Sequence, residues 1–195
     1  MKELIFASHN KGKIAEIKQI LSPFNIKVIS SDDVDLPDVE ETGTTFEENA
    51  VLKALGIAKM KNFPCLADDS GLCVNALNGR PGVYSARYAP NRDFDKAMDM
   101  LLKEIEDTKS SDRSAYFACV LVLGYPDGTY KSFEGRVDGV IIKQKQGSSG
   151  FGFDPVFAPL GYDKTFAELG AEIKNKISHR GRALEKFTEY LNTLK

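Results

Sequence analysis

The chain has 195 residues, with 26 Lys+Arg against 28 Asp+Glu and a formal charge of −2. That balance excludes a sequence-blind binder of nucleic acid, which needs a basic excess to release counterions. With 42% apolar and 28% charged residues the chain reads as an ordinary globule, expected as one domain over residues 1–195, and no apolar run approaches the ~18 residues of a membrane span.

Leu4-Ile5-Phe6-Ala7 is too short for the apolar region of a signal peptide and reads as a first buried strand. The polar loop Ser8-His9-Asn10-Lys11-Gly12 follows. Ile14, Ile17, Ile20 and Leu21 recur at helical spacing, and Ser22-Pro23 stops that helix. Ile26–Ile29 is a second strand, and residues 32–45 are acidic and irregular. Thr45-Phe46-Glu47-Glu48 has the form of a capping box and opens a helix with Phe46, Ala50, Ala54, Ile57 and Ala58 on one face.

Cys65-Leu66-Ala67 is strand-like, and the turn formers Asp68-Asp69-Ser70-Gly71 predict a turn after it. Leu72-Cys73-Val74 resumes the apolar pattern, a loop covers 78–90, and Ala97, Leu101, Leu102 and Ile105 mark another helix. Lys109–Arg113 is a loop. Residues 115–125 and 129–142 are long strands around Pro126-Asp127-Gly128, a hairpin. Residues 146–159 read as a Gly- and Phe-rich loop. Leu184, Phe187, Leu191 and Leu194 line a final helix with Ser178 as its N-cap. Interleaved helices and strands with a hairpin predict an α/β fold built on a mixed, curved sheet flanked by helices, with two lobes and a cleft between them.

Three cysteines, Cys65, Cys73 and Cys119, with no CxxC spacing argue for buried free thiols in a reducing cytoplasm rather than a disulfide framework or zinc site. The only histidines are His9 and His179, too few for a zinc hydrolase. Ser70 lies in Asp-Ser-Gly, not the GxSxG of a nucleophile elbow.

Four segments could carry chemistry. Ser8-His9-Asn10-Lys11-Gly12-Lys13 joins a strand to a helix N-terminus, which suits a phosphate, but it is also an ordinary polar connection. Asp68-Asp69 after a buried strand could hold Mg2+ with Glu40 or Glu41, although composition alone favours a plain turn and a solvated acidic loop. In Gly147–Pro155 the glycines do not match a dinucleotide fingerprint; Phe151 or Phe153 could stack on a base and Asp154 accept from it, or both rings could be core. Lys174–Arg182 is dense in donors, which could equally lie in water.

Taken together the segments resemble the inosine triphosphate pyrophosphatase family, the non-canonical purine nucleoside triphosphate pyrophosphatases, and its bacterial branch in particular. The matching stretches are Ser8–Lys13, Glu40–Ala50, Ala67–Leu72, Pro81–Tyr88, Gly150–Pro155 and Ile177–Arg180, in family order across nearly the whole chain. Family members commonly carry Thr-Gly-Asn where this chain has Ser8-His9-Asn10.

The resemblance implies Mg2+-dependent hydrolysis of ITP, dITP and XTP to the monophosphate and pyrophosphate, by a homodimer of α/β subunits with a long mixed sheet and a cleft. It implies Asp69 as catalytic base and metal ligand, with Glu41 and Asp68 as further metal ligands. It implies Ser8, His9, Asn10, Lys11, Gly12 and Lys13 at the triphosphate. It implies Ser70, Phe151, Gly152, Phe153, Asp154, Lys174, His179 and Arg180 at the nucleotide, so that Arg180→Ala is expected to raise KM for ITP. The rival expectations are a pyrophosphatase for modified pyrimidine nucleotides, a nucleotide-binding module without turnover, and a dimerisation domain.

Overall fold

The computed structural model describes residues 2–193; Leu194, expected on the last helix, lies outside them. Six strands form one mixed sheet in the order β2-β1-β3-β4-β5-β6. They are β1 (Glu3–Phe6), β2 (Lys27–Ile29), β3 (Cys65–Val74), β4 (Ser114–Gly124), β5 (Tyr130–Ile141) and β6 (Phe157–Pro159). The helices are α1 (Lys11–Leu21), α2 (Phe46–Lys61), α3 (Phe94–Asp107), α4 (Phe166–Ile177) and α5 (His179–Thr193). β1 is parallel to β2 and to β3, whereas β5 and β6 are antiparallel. The β4–β5 hairpin closes at its turn through Tyr125 N–H to Thr129 O, 2.9 Å, and Gly128 N–H to Tyr125 O, 3.0 Å. The expected mixed α/β architecture is therefore the observed one.

The chain divides into two compact units, residues 1–69, 119–135 and 180–195 in the first and 70–118 and 136–179 in the second. In the first, strand alternation sorts the side chains. Leu4 and Phe6 of β1, Leu66 of β3 and Cys119, Leu121 and Leu123 of β4 pack with Ile14, Ile17 and Leu21 of α1 and Leu184 and Phe187 of α5. The intervening residues Ile5, Ala7, Cys65, Ala67, Val120 and Val122 pack with Ala50, Ala54, Ile57 and Ala58 of α2. Period-two alternation thus sends α1 and α5 to one face and α2 to the other. In the second unit, Leu72, Val74, Phe117, Val137 and Ile141 pack against Ala97, Met98, Leu101 and Ile105 of α3 and against Phe153, Phe157 and Phe166.

Three expectations change. Asp68-Asp69-Ser70-Gly71 is not a turn but the interior of β3, with only Ser70 less than fully buried. Turn propensity is a local preference, and here the strand's neighbours override it because Asp68 meets buried cations, as described below. Residues 157–159, expected in a loop, are the edge strand β6. α4 was not foreseen at all; its internal Gly170 has φ 78°, which interrupts the helical pattern. Ser178 does stand immediately before α5 with extended backbone, and its N–H closes α4 on Lys174 O at 2.8 Å. All three cysteines are buried and free, as expected.

Candidate active site

In the first unit the loop after β1 folds back on itself. Asn10 N–H donates to Ser8 Oγ at 3.1 Å, and Asn10 Oδ1 caps α1 by accepting from Lys13 N–H at 3.1 Å. The helix begins at Lys11, so helix geometry leaves the N–H groups of Lys11 and Gly12 without a carbonyl inside it. Lys11 is exposed, and Ser8 and Gly12 are half-buried. His9 is exposed and turns to the segment 36–38: its Nε2 is 3.0 Å from Leu36 O and its Nδ1 3.2 Å from Asp38 Oδ1.

Because successive strand residues face opposite ways, Asp68 and Asp69 enter different surroundings. Asp68 joins the α1/α5 face. Lys13 Nζ reaches its carboxylate at 3.0 and 3.1 Å, Arg180 Nη2 at 3.0 Å, and the Cys119 thiol lies 3.9 Å away. Arg180 is 1% exposed and also grips the buried Glu16 of α1. Burial by itself would raise the Asp68 pKa, but Lys13, Arg180 and Lys53 outweigh it and hold the carboxyl far below the usual carboxylate range. The same carboxylates, against the opposing effect of burial, push Arg180 further up.

Asp69 faces α2. Asn49, fully buried, donates from Nδ2 to Asp69 Oδ2 at 3.0 Å. Burial is the main cause that raises the Asp69 pKa; the Glu41 charge adds to it, and Lys53, Lys13 and the Asn49 hydrogen bond oppose it. Lys53, one turn beyond Asn49, donates to Glu41 Oε1 and to the backbone oxygen of Asp68, both at 2.6 Å. Burial would lower the Lys53 pKa, yet Asp68, Asp69 and Glu41 together raise it, so it is an ammonium set among carboxylates. Among the described residues no three of His, Cys, Asp and Glu gather as a ready-made metal cage.

In the second unit Gly150–Asp154 forms a closed loop. Asp154, 2% exposed, accepts from Phe151 N–H at 2.9 Å and from Lys174 Nζ at 2.6 Å. The Lys174 ammonium also lies 4.3 Å from the Phe151 ring centre. Gly150 and Gly152 take φ 80° and 66°. Phe153 is core, edge-on to Phe94 at 5.6 Å and to Tyr88 at 6.3 Å, so Phe151 is the half-buried ring of the pair. His179 is buried and stacks on Phe117 at 4.8 Å. Ser70, half-buried, also belongs to this unit.

The structure thus gathers Ser8–Lys13, Glu41, Asp68, Asp69 and Arg180 in one unit and Phe151–Asp154, Lys174 and His179 in the other. Lys174 and Arg180, expected at the nucleotide with solvated cations as the alternative, are buried, so they do not lie in water. Glu16, Asn49 and Lys53 were missed. Asn49 and Lys53 sit four residues apart on the helix that Thr45 caps, and that spacing was the available signal.

The Ham1 family model matches residues 4–190. A dITP/XTP pyrophosphatase of Oceanobacillus iheyensis is 47% identical over 197 residues, covering 100% of both chains. One of Bacillus subtilis is 46% identical over 193 residues, covering 98% of each. Among solved structures, a HAM1 protein from Coxiella burnetii superposes with a TM-score of 0.91 at 42% identity, over 99% of this chain and 100% of that one. The Staphylococcus aureus Ham1 protein does so at 0.88 and 45%, over 100% of each. Matched by the family model over residues 4–190 and by relatives end to end, this chain belongs to the Ham1 family.

Proposed function

We propose that the protein hydrolyses non-canonical purine nucleoside triphosphates (dITP, XTP and ITP) to the nucleoside monophosphate and pyrophosphate, clearing deaminated purines from the nucleotide pool. The observation that carries this reading is Asp69: a buried carboxylate with a raised pKa, hydrogen-bonded by Asn49, beside the ammonium of Lys53. A base needs a proton affinity above that of a free carboxylate, and desolvation supplies it. The names of the full-length relatives support the substrate class.

Asp69 takes a proton from water as the water oxygen bonds to the α-phosphorus. The bond from that phosphorus to the bridging oxygen breaks, and pyrophosphate leaves with the electron pair. Lys11, Lys13 and the α1 N-terminus neutralise the triphosphate, the larger part of phosphoryl-transfer catalysis. The cofactor of this reading is Mg2+, which Glu41 and Asp69 would hold. Glu41 and Asp69 are hard oxygen donors close enough that the Glu41 charge raises the Asp69 pKa, and Asp68 stands behind them with its carboxylate on Lys13 and Arg180. Two carboxylates suit Mg2+, which fills its shell with water and phosphate oxygens. Held by Glu41 and Asp69, Mg2+ would supply positive charge against the charge that develops on the phosphate oxygens.

In the second unit the groups suit a purine base. Phe151 offers a ring face over Lys174. Lys174, held on Asp154, is a donor of the kind that the O6 acceptor of hypoxanthine or xanthine needs. Adenine presents a donor there instead. Guanine shares O6, and burying its 2-amino group without an acceptor disfavours it by roughly 1–3 kcal/mol. We also propose a homodimer; the exposed Val140, Leu160 and Tyr162 around edge strand β6 support it, and sedimentation checks it.

The test is pyrophosphate release from dITP, XTP, ITP, GTP, ATP, CTP and UTP, with and without Mg2+. Metal-dependent turnover of the first three over GTP and ATP is expected. Preference for a pyrimidine, or binding of dITP without turnover, overturns the proposal.

A further inference from the structure

One residue beside the site is built for a task that neither the phosphate loop nor the carboxylates explain. Asn49 is fully buried on α2, and both ends of its amide are used. Nδ2 donates to Asp69 Oδ2 at 3.0 Å, and Oδ1 accepts from Gly43 N–H at 2.8 Å. The two partners fix the amide orientation, since a carboxylate accepts and a backbone N–H donates.

We propose that Asn49 is a positioning residue for the hydrolysis: its amide clamps Asp69 by one oxygen and ties it to the Gly43 backbone, two residues from Glu41. The inference rests on the reading of Asp69 as the base.

The local sequence is shaped around this bridge. A Cβ on Gly43 would lie 2.7 Å from Asn49 Oδ1 and 2.6 Å from Glu48 Cβ, so only glycine permits the approach. The loop's next residues are pinned by the same turn of helix. Thr44 and Thr45 N–H both donate to Glu48 Oε2, at 2.7 and 3.2 Å, and Thr45 Oγ1 accepts from Glu48 N–H at 3.1 Å. The capping box thus sets the start of α2, the start of α2 sets Asn49, and Asn49 sets the carboxylate plane of Asp69. A base held by one edge needs no reorientation at the moment of proton transfer.

The experiment uses the full chain with Mg2+, comparing Asn49→Ala, Asn49→Asp and Gly43→Ala. Asn49→Asp keeps the shape and the acceptor for Gly43 but loses the donor to Asp69. Both Asn49 variants are expected to lose about 10–100-fold in kcat for dITP, with KM within about threefold. Hydrogen exchange of the Gly43 amide, slow in the unmodified protein, is expected to accelerate in Asn49→Ala and stay slow in Asn49→Asp. Gly43→Ala should reproduce the kcat loss from the other end of the bridge, and it decides the matter if the Asn49 variants do not fold. A folded Asn49→Asp with unchanged kcat, or a loss confined to KM, overturns the inference. Absence of turnover by the unmodified protein would instead remove the proposed function, and Gly43 exchange would still report whether the bridge exists.

Discussion

At the scale of single residues, the first unit is organised by what balances Asp68. A buried carboxylate is tolerable only with buried cations and satisfied hydrogen bonds, and Lys13 and Arg180 supply both. Arg180 was expected in a base pocket. It grips Glu16 and Asp68 inside the first unit, so Arg180→Ala should act first on stability. It removes the guanidinium from two buried carboxylates, leaving Asp68 to Lys13, a loss of about 3–5 kcal/mol and a fall in Tm of several degrees by thermal denaturation. Loss of substrate affinity with an unchanged Tm would return Arg180 to the base pocket. The cysteines give a second prediction. Burial pushes the thiols of Cys65 and Cys119 up to about 12, Asp68 adding to the effect at Cys119. Neither forms thiolate near neutral pH, so iodoacetamide should label both only after unfolding. Mass spectrometry of the native protein after labelling checks this.

Elements matter because they carry these residues in register. α2 brings three functions on one helix: a capping box, the Asn49 amide and, one turn later, the Lys53 ammonium. The loop 150–154 is an element of a different kind, held by Asp154 in place of a backbone ladder. Gly150 sits at φ 80°, and a Cβ there would lie 2.2 Å from Asp154 Oδ2. Gly150→Ala therefore costs about 1–3 kcal/mol of local strain and displaces the carboxylate that holds Phe151 and Lys174. The expected outcome is a raised KM for dITP with a smaller change in kcat, and steady-state kinetics reads it. Element legibility was uneven for physical reasons. α1, α2 and α3 showed apolar residues at helical spacing. α4 did not, because Gly170 interrupts it; its Thr165-x-x-Glu168 capping box, the same signal read correctly at Thr45, would have found it. β3 was cut short at Asp68 because turn propensity describes a chain in water, not a strand whose carboxylates meet buried cations.

At the scale of the whole molecule, the same network sets acid sensitivity. The Asp68 pKa is depressed on folding, so its contribution is fully present above the ordinary carboxylate value of about 3.9 and is lost as pH falls below it, through the folded value. Asp69 has the opposite sign: raised on folding, it gains stability on protonation and offsets part of that loss. Urea unfolding from pH 7 to pH 2 should show stability declining below about pH 4. Asp68→Asn should flatten the decline, and an unaltered slope would remove Asp68 as its source. No helix among the described residues is long and apolar enough to cross a membrane.

By itself the sequence determined the α/β class, the start of α2, the hairpin and the buried thiols. Each of these depends on neighbours in the chain: periodicity, capping geometry or turn chemistry within a few residues. Only the tertiary structure decided the partners of the charged groups. Lys13 and Asp68 are 55 residues apart, and Arg180 and Asp68 are 112 apart. Nothing local records such pairs, since burial and charge neutralisation belong to the packed sheet. For the same reason the adjacent Asp68 and Asp69, alike in sequence, part company in the fold. Strand alternation sends one to the cations of α1 and α5 and the other to the amide of α2, so one pKa falls and the other rises.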